Sequence, residues 1–81
     1  MTVRVLLFAQ VAETVGRDVV TLDLSPGSTA ANVLARLAET YPDAAPQLRP
    51  AAVAVADAYV RPDHILSDGD EVAVIPPVSG G

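Results

Sequence analysis

A single helical segment, bounded at both ends, interrupts a chain whose other apolar runs are patterned as strands. Ser28 or Thr29 can cap this helix, and Asn32 stands in its first turn. Pro42 stops it, because proline disfavours helical backbone at the residue before it. The helix is therefore predicted to end at about residue 39. Its apolar positions recur at helical spacing and predict one buried stripe: Ala30, Val33, Leu34, Leu37 and Tyr41.

Five short runs of β-branched and apolar residues predict strands at residues 3–8, 19–24, 51–55, 59–60 and 71–75. Residues 10–15 predict a helical turn, and residues 43–50 predict an irregular connection with room for another. This order is typical of an α+β layer, in which one main helix crosses one face of a mixed sheet. We expect the β-grasp, or ubiquitin-like, fold over residues 1–77, followed by a flexible, extended Gly-Gly tail over residues 78–81.

Alternation along the first and last strands separates the two faces of the predicted sheet. The side chains predicted to face the helix are Val3, Val5, Leu7, Val72 and Val74. If these strands are parallel neighbours, Leu6, Phe8, Ala73 and Ile75 cluster on the other face, beside the tail. An exposed apolar cluster usually marks a partner surface, so we expect this one to dock the protein that receives the tail. The alternative is that Phe8 folds back over the small core.

The composition excludes several classes of function. The net charge of −5 does not support a nucleic-acid partner, which requires a basic surface. The absence of cysteine excludes disulfides, thiolate metal sites and a cysteine nucleophile. All five cations are arginines, so no lysine is present for Schiff-base chemistry or for linkage of one copy to another. No signal peptide or membrane-spanning run is recognised, and we expect a cytoplasmic protein with no membrane partner.

Two polar features invite a metal interpretation that their spacing does not support. Residues 68–71 are acidic around Gly69, but they lack the alternating oxygen ligands and the distant glutamate of a calcium loop. A tight turn with positive φ at Gly69 accounts for them better. His64 has no partners at ligand spacing, so it is interpreted as a loop residue. We therefore expect that this chain binds no metal and no cofactor.

The last residues, Val78, Ser79, Gly80 and Gly81, place a carboxylate at the tip of a slender tail. A carboxylate is a poor electrophile, but joining it to AMP at the expense of ATP supplies a good leaving group. A sulfur nucleophile can then displace AMP and leave a C-terminal thiocarboxylate, for which an unhindered glycine is suited. Four extended residues reach roughly 13 Å, enough to enter a buried pocket. The two prolines before them, Pro76 and Pro77, hold the exit extended.

Two segments resemble a known family. Residues 5–10, with the sequence VLLFAQ, and residues 68–81, with the sequence DGDEVAVIPPVSGG, resemble the MoaD-like small subunits of molybdopterin synthase, within the MoaD/ThiS sulfur-carrier family. The resemblance covers nearly the whole chain in length and element order. Of the two segments, residues 68–81 match the family pattern more specifically than residues 5–10. One departure is visible, since family members often carry asparagine where Ala56 stands.

The resemblance implies a β-grasp fold and a Gly81 that is adenylated by an activating enzyme of the ubiquitin-activating type, which consumes the ATP. Gly81 would then be thiocarboxylated, and the tail would enter the large subunit of molybdopterin synthase. There it would donate sulfur to cyclic pyranopterin monophosphate and build the dithiolene. The chain would be the non-catalytic, sulfur-donating subunit of a heterotetrameric sulfurtransferase. The resemblance places partner contacts at Phe8, Ile75 and their neighbours Leu6, Pro76 and Pro77.

Three alternatives remain beside this expectation. The same carrier chemistry could serve another pathway: thiamine, cysteine or tRNA thiolation. The Pro-Pro-Val-Ser-Gly-Gly ending favours the molybdopterin pathway, because thiamine carriers usually end differently before Gly-Gly. The second alternative is a ubiquitin-like modifier joined to lysines of target proteins. The third is a plain interaction domain whose terminus is inert.

Overall fold

The structure is a computed structural model that describes residues 1–77. Its strands are β1 (Thr2–Leu7), β2 (Val19–Asp23), β3 (Ala52–Val55), β4 (Ala58–Val60) and β5 (Glu71–Ile75). Its helices are α1 (Ala9–Val15), α2 (Ala30–Thr40) and α3 (Ala45–Leu48), with a 3₁₀ turn at Pro42–Ala44. The predicted tail, residues 78–81, lies outside the described residues.

The strands form one mixed sheet in the order β2-β1-β5-β3-β4. β1 and β5 are parallel neighbours at its centre, with Leu6 aligned with Ala73 and Leu7 with Val74. Every other pair of neighbouring strands is antiparallel. The predicted mixed sheet is confirmed, and so is the parallel pairing of the first and last strands. This pairing fixes which side chains lie beside the end of β5.

The core lies between the inner face of the sheet and the helices. All five side chains predicted to face inward are buried: Val3, Val5, Leu7, Val72 and Val74. Val33 and Leu37 of α2 are fully buried in the same cluster, which Leu66 joins from the loop before β5. Each fully buried valine or leucine contributes about 1.5–3 kcal/mol through removal of apolar surface from water. Leu34 and Tyr41, the other large members of the predicted stripe, are half-buried at its border.

α2 begins and ends where the sequence predicts. Thr29 is its cap, and its Oγ1 accepts a hydrogen bond from the backbone N–H of Asn32 at 3.4 Å. The Oδ1 of Asn32 accepts in return from the backbone N–H of Thr29 at 2.8 Å. This reciprocal pair satisfies two donors at the helix start, and such a cap contributes typically about 1 kcal/mol. The helix ends at Thr40, before Tyr41 and Pro42.

Two segments are more regular than the sequence predicts. α1 is a helix of seven residues rather than a single turn, and it buries Val11 completely. Gly16 ends it at φ 80°, where its N–H donates to the carbonyl of Ala12 at 2.8 Å. β1 consequently ends at Leu7, and the prediction that its strand includes Phe8 is wrong, because Phe8 begins α1 as its cap residue. The connection after α2 forms the 3₁₀ turn and α3, which bury Leu48.

Candidate functional site

An apolar row crosses the face of the sheet opposite the helices. The register aligns Leu6 with Val19 on one side and with Ala73 on the other. Ala73 is aligned with Ala54, and Ala54 with Tyr59. These five residues, one from each strand, form a continuous line from one edge of the sheet to the other, which we call the outer row. Its middle members are alanines and its outer members are larger, so the row is low at its centre.

A depression of about 580 Å³ lies over these central alanines. Leu6, Phe8, Tyr59 and Ile75 line it. Phe8 is 46% exposed and Tyr59 is 71% exposed. Two of the three aromatic residues of the chain therefore stand on this face. The alternative in which Phe8 folds back over the core is wrong, and the predicted cluster of Leu6, Phe8, Ala73 and Ile75 is present beside the end of β5.

The opposite end of the same face is charged. Arg4 Nη1 lies 3.1 Å from Glu71 Oε2, and both side chains are more than half exposed. Such a pair contributes at most about 1 kcal/mol to stability, because water screens it. Asp57 and Asp70 line the depression beside Glu71. The face is thus apolar where β5 ends and predominantly acidic where β5 begins.

The acidic turn before β5 serves to hold the strand in register. Gly69 adopts φ 85°, as predicted, and its N–H donates to the carbonyl of Thr2 at 2.8 Å. Asp68 Oδ1 accepts from the N–H of Thr2 at 2.7 Å, and Asp70 Oδ2 accepts from the N–H of Ser67 at 2.8 Å. These carboxylates tie the turn to the start of β1 and to itself. They therefore fix the alignment that brings Ala73 beside Leu6.

The point where the chain leaves the sheet is defined by Ile75, the last residue of β5, which is aligned with Ala52. Pro76 is half-buried and Pro77 is exposed. Since proline has a fixed φ and no N–H, these two residues do not extend the ladder of hydrogen bonds. We call this end of the sheet the exit end. The positions predicted to carry the chemistry, Val78, Ser79, Gly80 and Gly81, lie outside the described residues, so their roles stay predictions.

Sequence reasoning missed three members of the outer row, Val19, Ala54 and Tyr59. Tyr59 was predicted only as part of an edge strand, because its alignment with Ala54 depends on the turn between β3 and β4. That turn has two residues, Ala56 and Asp57, at φ 52° and φ 65°. A two-residue hairpin loop with both residues at positive φ is usually marked by Asn-Gly or Asp-Gly, and neither sequence is present here.

Residues 1–77 do not offer the ligands of a metal site or a membrane-spanning helix. Within them, no group of three or more histidine, cysteine, aspartate or glutamate side chains gathers where it could hold a metal ion. None of the helices over the same residues has the length and apolar character needed to cross a membrane. His64 is an exposed loop residue whose backbone N–H donates to the carbonyl of Arg61 at 3.0 Å. The outer face and the exit end carry the described residues that the sequence predicts for partner contact: Leu6, Phe8, Ile75, Pro76 and Pro77.

Comparison with known proteins identifies close relatives over the whole chain. The model of the ThiS family matches residues 5–81. A Dictyostelium discoideum protein named molybdopterin synthase sulfur carrier subunit is 38% identical over 81 residues, covering 96% of this chain and 94% of its own. The crystal structure of SAMP1 from Haloferax volcanii has a TM-score of 0.85 at 26% identity, with 100% of both chains covered.

The same fold occurs in a two-protein assembly. A chain in the Helicobacter pylori complex of subunits 1 and 2 of molybdopterin-converting factor has a TM-score of 0.71, with 100% of both chains covered. Its identity with this chain is 23%, so the similarity concerns the fold. The fold predicted from the sequence is confirmed by these ubiquitin-like neighbours.

Proposed function

The chain belongs to the MoaD/ThiS family, and we propose that it is the sulfur carrier subunit of a molybdopterin synthase. The observation that carries the proposal is the match along the full chain to relatives with that printed name, at 34% to 40% identity. The exposed outer face beside the end of β5 supports it, because a carrier must dock before it can deliver its tail.

Activation is the first step of the proposed chemistry. A carboxylate oxygen of Gly81 attacks the α-phosphorus of ATP, which gives an acyl adenylate and releases pyrophosphate. An activating enzyme of the ubiquitin-activating type supplies the site for this step. Sulfide (HS⁻) from a sulfur donor then attacks the acyl carbon, a C–S bond forms, and AMP departs with the electrons of the C–O bond, so Gly81 ends as a thiocarboxylate. Gly80 and Gly81 leave the approach to that carbon unhindered.

Delivery is the second step. Residues 78–81 span roughly 13 Å when extended, and Pro76 and Pro77 reduce the entropy that is lost when the tail enters a pocket. The large subunit would receive this tail and bind cyclic pyranopterin monophosphate. In each transfer the thiocarboxylate sulfur bonds to the pterin, and water then cleaves the acyl C–S bond, which returns Gly81 to a carboxylate and leaves one sulfur atom on the pterin. Because a dithiolene holds two sulfur atoms, two transfers are needed for each product, which is consistent with two carriers in a heterotetramer.

The outer face is the proposed docking surface for the large subunit. Aromatic side chains contribute much of the binding energy of protein interfaces, and Phe8 and Tyr59 project from this face. The alanines of the outer row leave a depression between Phe8 and Tyr59, which has room for an apolar side chain of the partner. Asp57, Asp70 and Glu71 border the depression at one end, so the matching part of the partner should carry lysine or arginine.

A ubiquitin-like protein modifier is the second candidate. The similarity of this chain to SAMP1 from Haloferax volcanii and to the small archaeal modifier protein 1 from Methanosarcina acetivorans favours it. The two functions share the activated Gly81 and differ in the nucleophile that finally attacks it. In the carrier that nucleophile is sulfur, whereas in the modifier it is the lysine of a target protein. The carriers of other pathways differ only in the enzyme that accepts the sulfur.

A single-turnover reaction tests whether molybdopterin synthase is the enzyme that accepts the sulfur. The full chain, prepared with a thiocarboxylate at Gly81, is mixed with the large synthase subunit and cyclic pyranopterin monophosphate. We expect the carrier to return to its carboxylate form while the pterin gains sulfur, and the chain ending in a plain carboxylate is the matched control. A thiocarboxylate that stays intact in the complete mixture would contradict the assignment to this pathway.

A further inference from the structure

Within residues 1–77, three non-glycine residues have positive φ: Ala9 at 53°, Ala56 at 52° and Asp57 at 65°. In this left-handed conformation Cβ lies close to the following carbonyl oxygen, so each of these residues costs free energy on folding. Ala9 directly follows Phe8, and the other two line the depression in the turn that leads to Tyr59. The strained residues therefore lie beside the two aromatic side chains of the outer face.

Ala9 is the residue at which the chain passes from the outer to the inner side of the sheet. Phe8 is extended, at φ −131° and ψ 156°, and continues the alternation of β1 by one residue, facing outward after the buried Leu7. Two residues after Ala9, Val11 is fully buried in the core. A helical φ at Ala9 would direct the chain differently, so Phe8 and Val11 could not both keep these positions. Because the core holds Val11, Phe8 would be the residue that moves.

The start of α1 is unfavourable for a helix in a second respect. Phe8 is its cap residue and makes no side-chain hydrogen bond to the helix, whereas serine, threonine, aspartate and asparagine are the residues that usually do so. Ala9 is exposed, so the packing of its own side chain does not impose its conformation. Strained residues are concentrated at binding and catalytic sites, where geometry matters more than local stability. The junction of β1 and α1 has the character of such a site.

The turn between β3 and β4 controls the second aromatic side chain in a different way. Ala56 and Asp57 form a two-residue loop, and the positive φ of both gives the loop the twist that suits two antiparallel strands. This loop aligns Tyr59 with Ala54. A slip of one residue would transfer Tyr59 to the inner face, because successive side chains of a strand point to opposite faces. The conformation of the loop therefore decides on which face Tyr59 lies.

We propose that Ala9, Ala56 and Asp57 are positioning residues, which hold Phe8 and Tyr59 on the outer face before the partner binds. The inference rests on the proposed function, in which this face docks the large subunit. A side chain that is already in its bound position loses less conformational entropy when the complex forms. The strain thus lowers the stability of the free domain, while the fixed positions of the two aromatic rings raise its affinity for the partner.

The test changes the backbone preference at position 9. Ala9→Val introduces a β-branched residue, which positive φ does not suit, and Ala9→Asn introduces a residue that tolerates it. Gln10→Val is the matched control, because it places valine at the next exposed position of α1, where φ is not positive. We expect Ala9→Val to weaken binding to the large subunit about tenfold, measured by isothermal titration calorimetry. Ala9→Asn should rescue the wild-type affinity and raise Tm, and Gln10→Val should bind as wild type does.

A second readout needs no partner. The chain has one phenylalanine, so incorporation of fluorophenylalanine gives a single fluorine NMR resonance that reports the surroundings of Phe8. In the free chain, we expect Ala9→Val to shift this resonance, whereas Ala9→Asn and Gln10→Val leave it near the wild-type position. Circular dichroism confirms that the compared variants are folded.

The hairpin supplies an independent pair of variants, which decides the proposal even where Ala9→Val does not fold. Ala56→Val disfavours positive φ in the loop. Ala58→Val places the same residue in the adjoining strand, at an exposed position that does not line the depression. We expect Ala56→Val to weaken binding about tenfold and Ala58→Val to bind as wild type does.

Three results would overturn the proposal. They are an Ala9→Val variant with the affinity and fluorine resonance of wild type, a Gln10→Val variant that loses as much affinity as Ala9→Val, and equal affinities of Ala56→Val and Ala58→Val. Failure of the proposed function has a different signature, in which wild type shows no affinity for the large subunit while the fluorine resonance of Ala9→Val still moves. That result would support the placement of Phe8 by Ala9 and reject the partner.

Discussion

The two faces of the sheet are built from the same strands but carry different residues for different purposes. On β1, Val5 is fully buried against the helices, while the next residue, Leu6, lies half-buried on the outer row. The inner face is close-packed with valine and leucine, as a stable domain requires. The outer face combines small central residues with exposed aromatic ones, an arrangement that leaves room for a second protein. Substitutions on the inner face should therefore change stability, and those on the outer face should change binding.

The largest expected effect is on the inner face. Leu37→Ala removes a fully buried side chain from α2 and leaves a cavity, which should lower the free energy of unfolding by about 2–5 kcal/mol. In a domain of this size such a loss is a large part of the total stability. Urea denaturation followed by circular dichroism measures it. A loss below about 1 kcal/mol would show that the inner face is less tightly packed than the contacts indicate.

The next effect should separate binding from stability. Phe8→Arg places a charge on the outer face, and we expect it to weaken binding to the large subunit by about 2 kcal/mol or more, roughly 30-fold. Its free energy of unfolding should change little, since Phe8 is 46% exposed. Ile65→Arg is the matched control, because Ile65 is 65% exposed but does not line the depression. Isothermal titration calorimetry measures the affinity of both variants for the large subunit. Equal affinity of Phe8→Arg and wild type would contradict the proposal that the outer face is the docking surface.

A smaller effect is expected at the turn that borders the outer face. Ala56 adopts φ 52°, a conformation that asparagine tolerates better than alanine. Ala56→Asn should raise the free energy of unfolding by about 0.5–1 kcal/mol. Ala35→Asn, on an exposed position of α2, should lower it by about 0.6 kcal/mol. Thermal unfolding compares the two, and a loss of stability in Ala56→Asn would show that the turn is not under strain.

The smallest effect concerns the charged end of the outer face. A double-mutant cycle with Arg4→Ala and Glu71→Ala should give a coupling energy of about 0.2–1 kcal/mol, because both side chains are largely exposed. The coupling should fall when salt is raised to about 1 M, where the Debye length is about 3 Å. A coupling above about 2 kcal/mol would mean that this pair is less solvated than its exposure indicates.

The alternation of apolar residues was sufficient to predict the faces of β1 and β5, because a period of two leaves only one assignment that buries the valines. The limits of α2 could be predicted as well, since Thr29, Asn32 and Pro42 give local signals for its start and end. These features depend on neighbours in the sequence. Local chemistry therefore accounts for the strands, the main helix and the position of Leu6 and Ile75.

The remaining features depend on contacts between distant residues. Only two of the seven residues of α1, Val11 and Val15, are large and apolar, and the helix is stabilised by the burial of Val11 in the core. Tyr59 joins the outer row only through the register set by Ala56 and Asp57, whose conformations their residue types do not predict. Such features were not accessible from one sequence.

The proposed function depends most directly on the chemistry of Gly81. The measurement is a mass spectrum of the intact chain after incubation with ATP, a sulfur donor and the activating enzyme, with fragmentation to locate the modification. We expect the exchange of one oxygen for one sulfur at the carboxyl group of Gly81, and no exchange in a chain that lacks Gly81. An unchanged mass in the complete mixture, or sulfur located anywhere else in the chain, would contradict it.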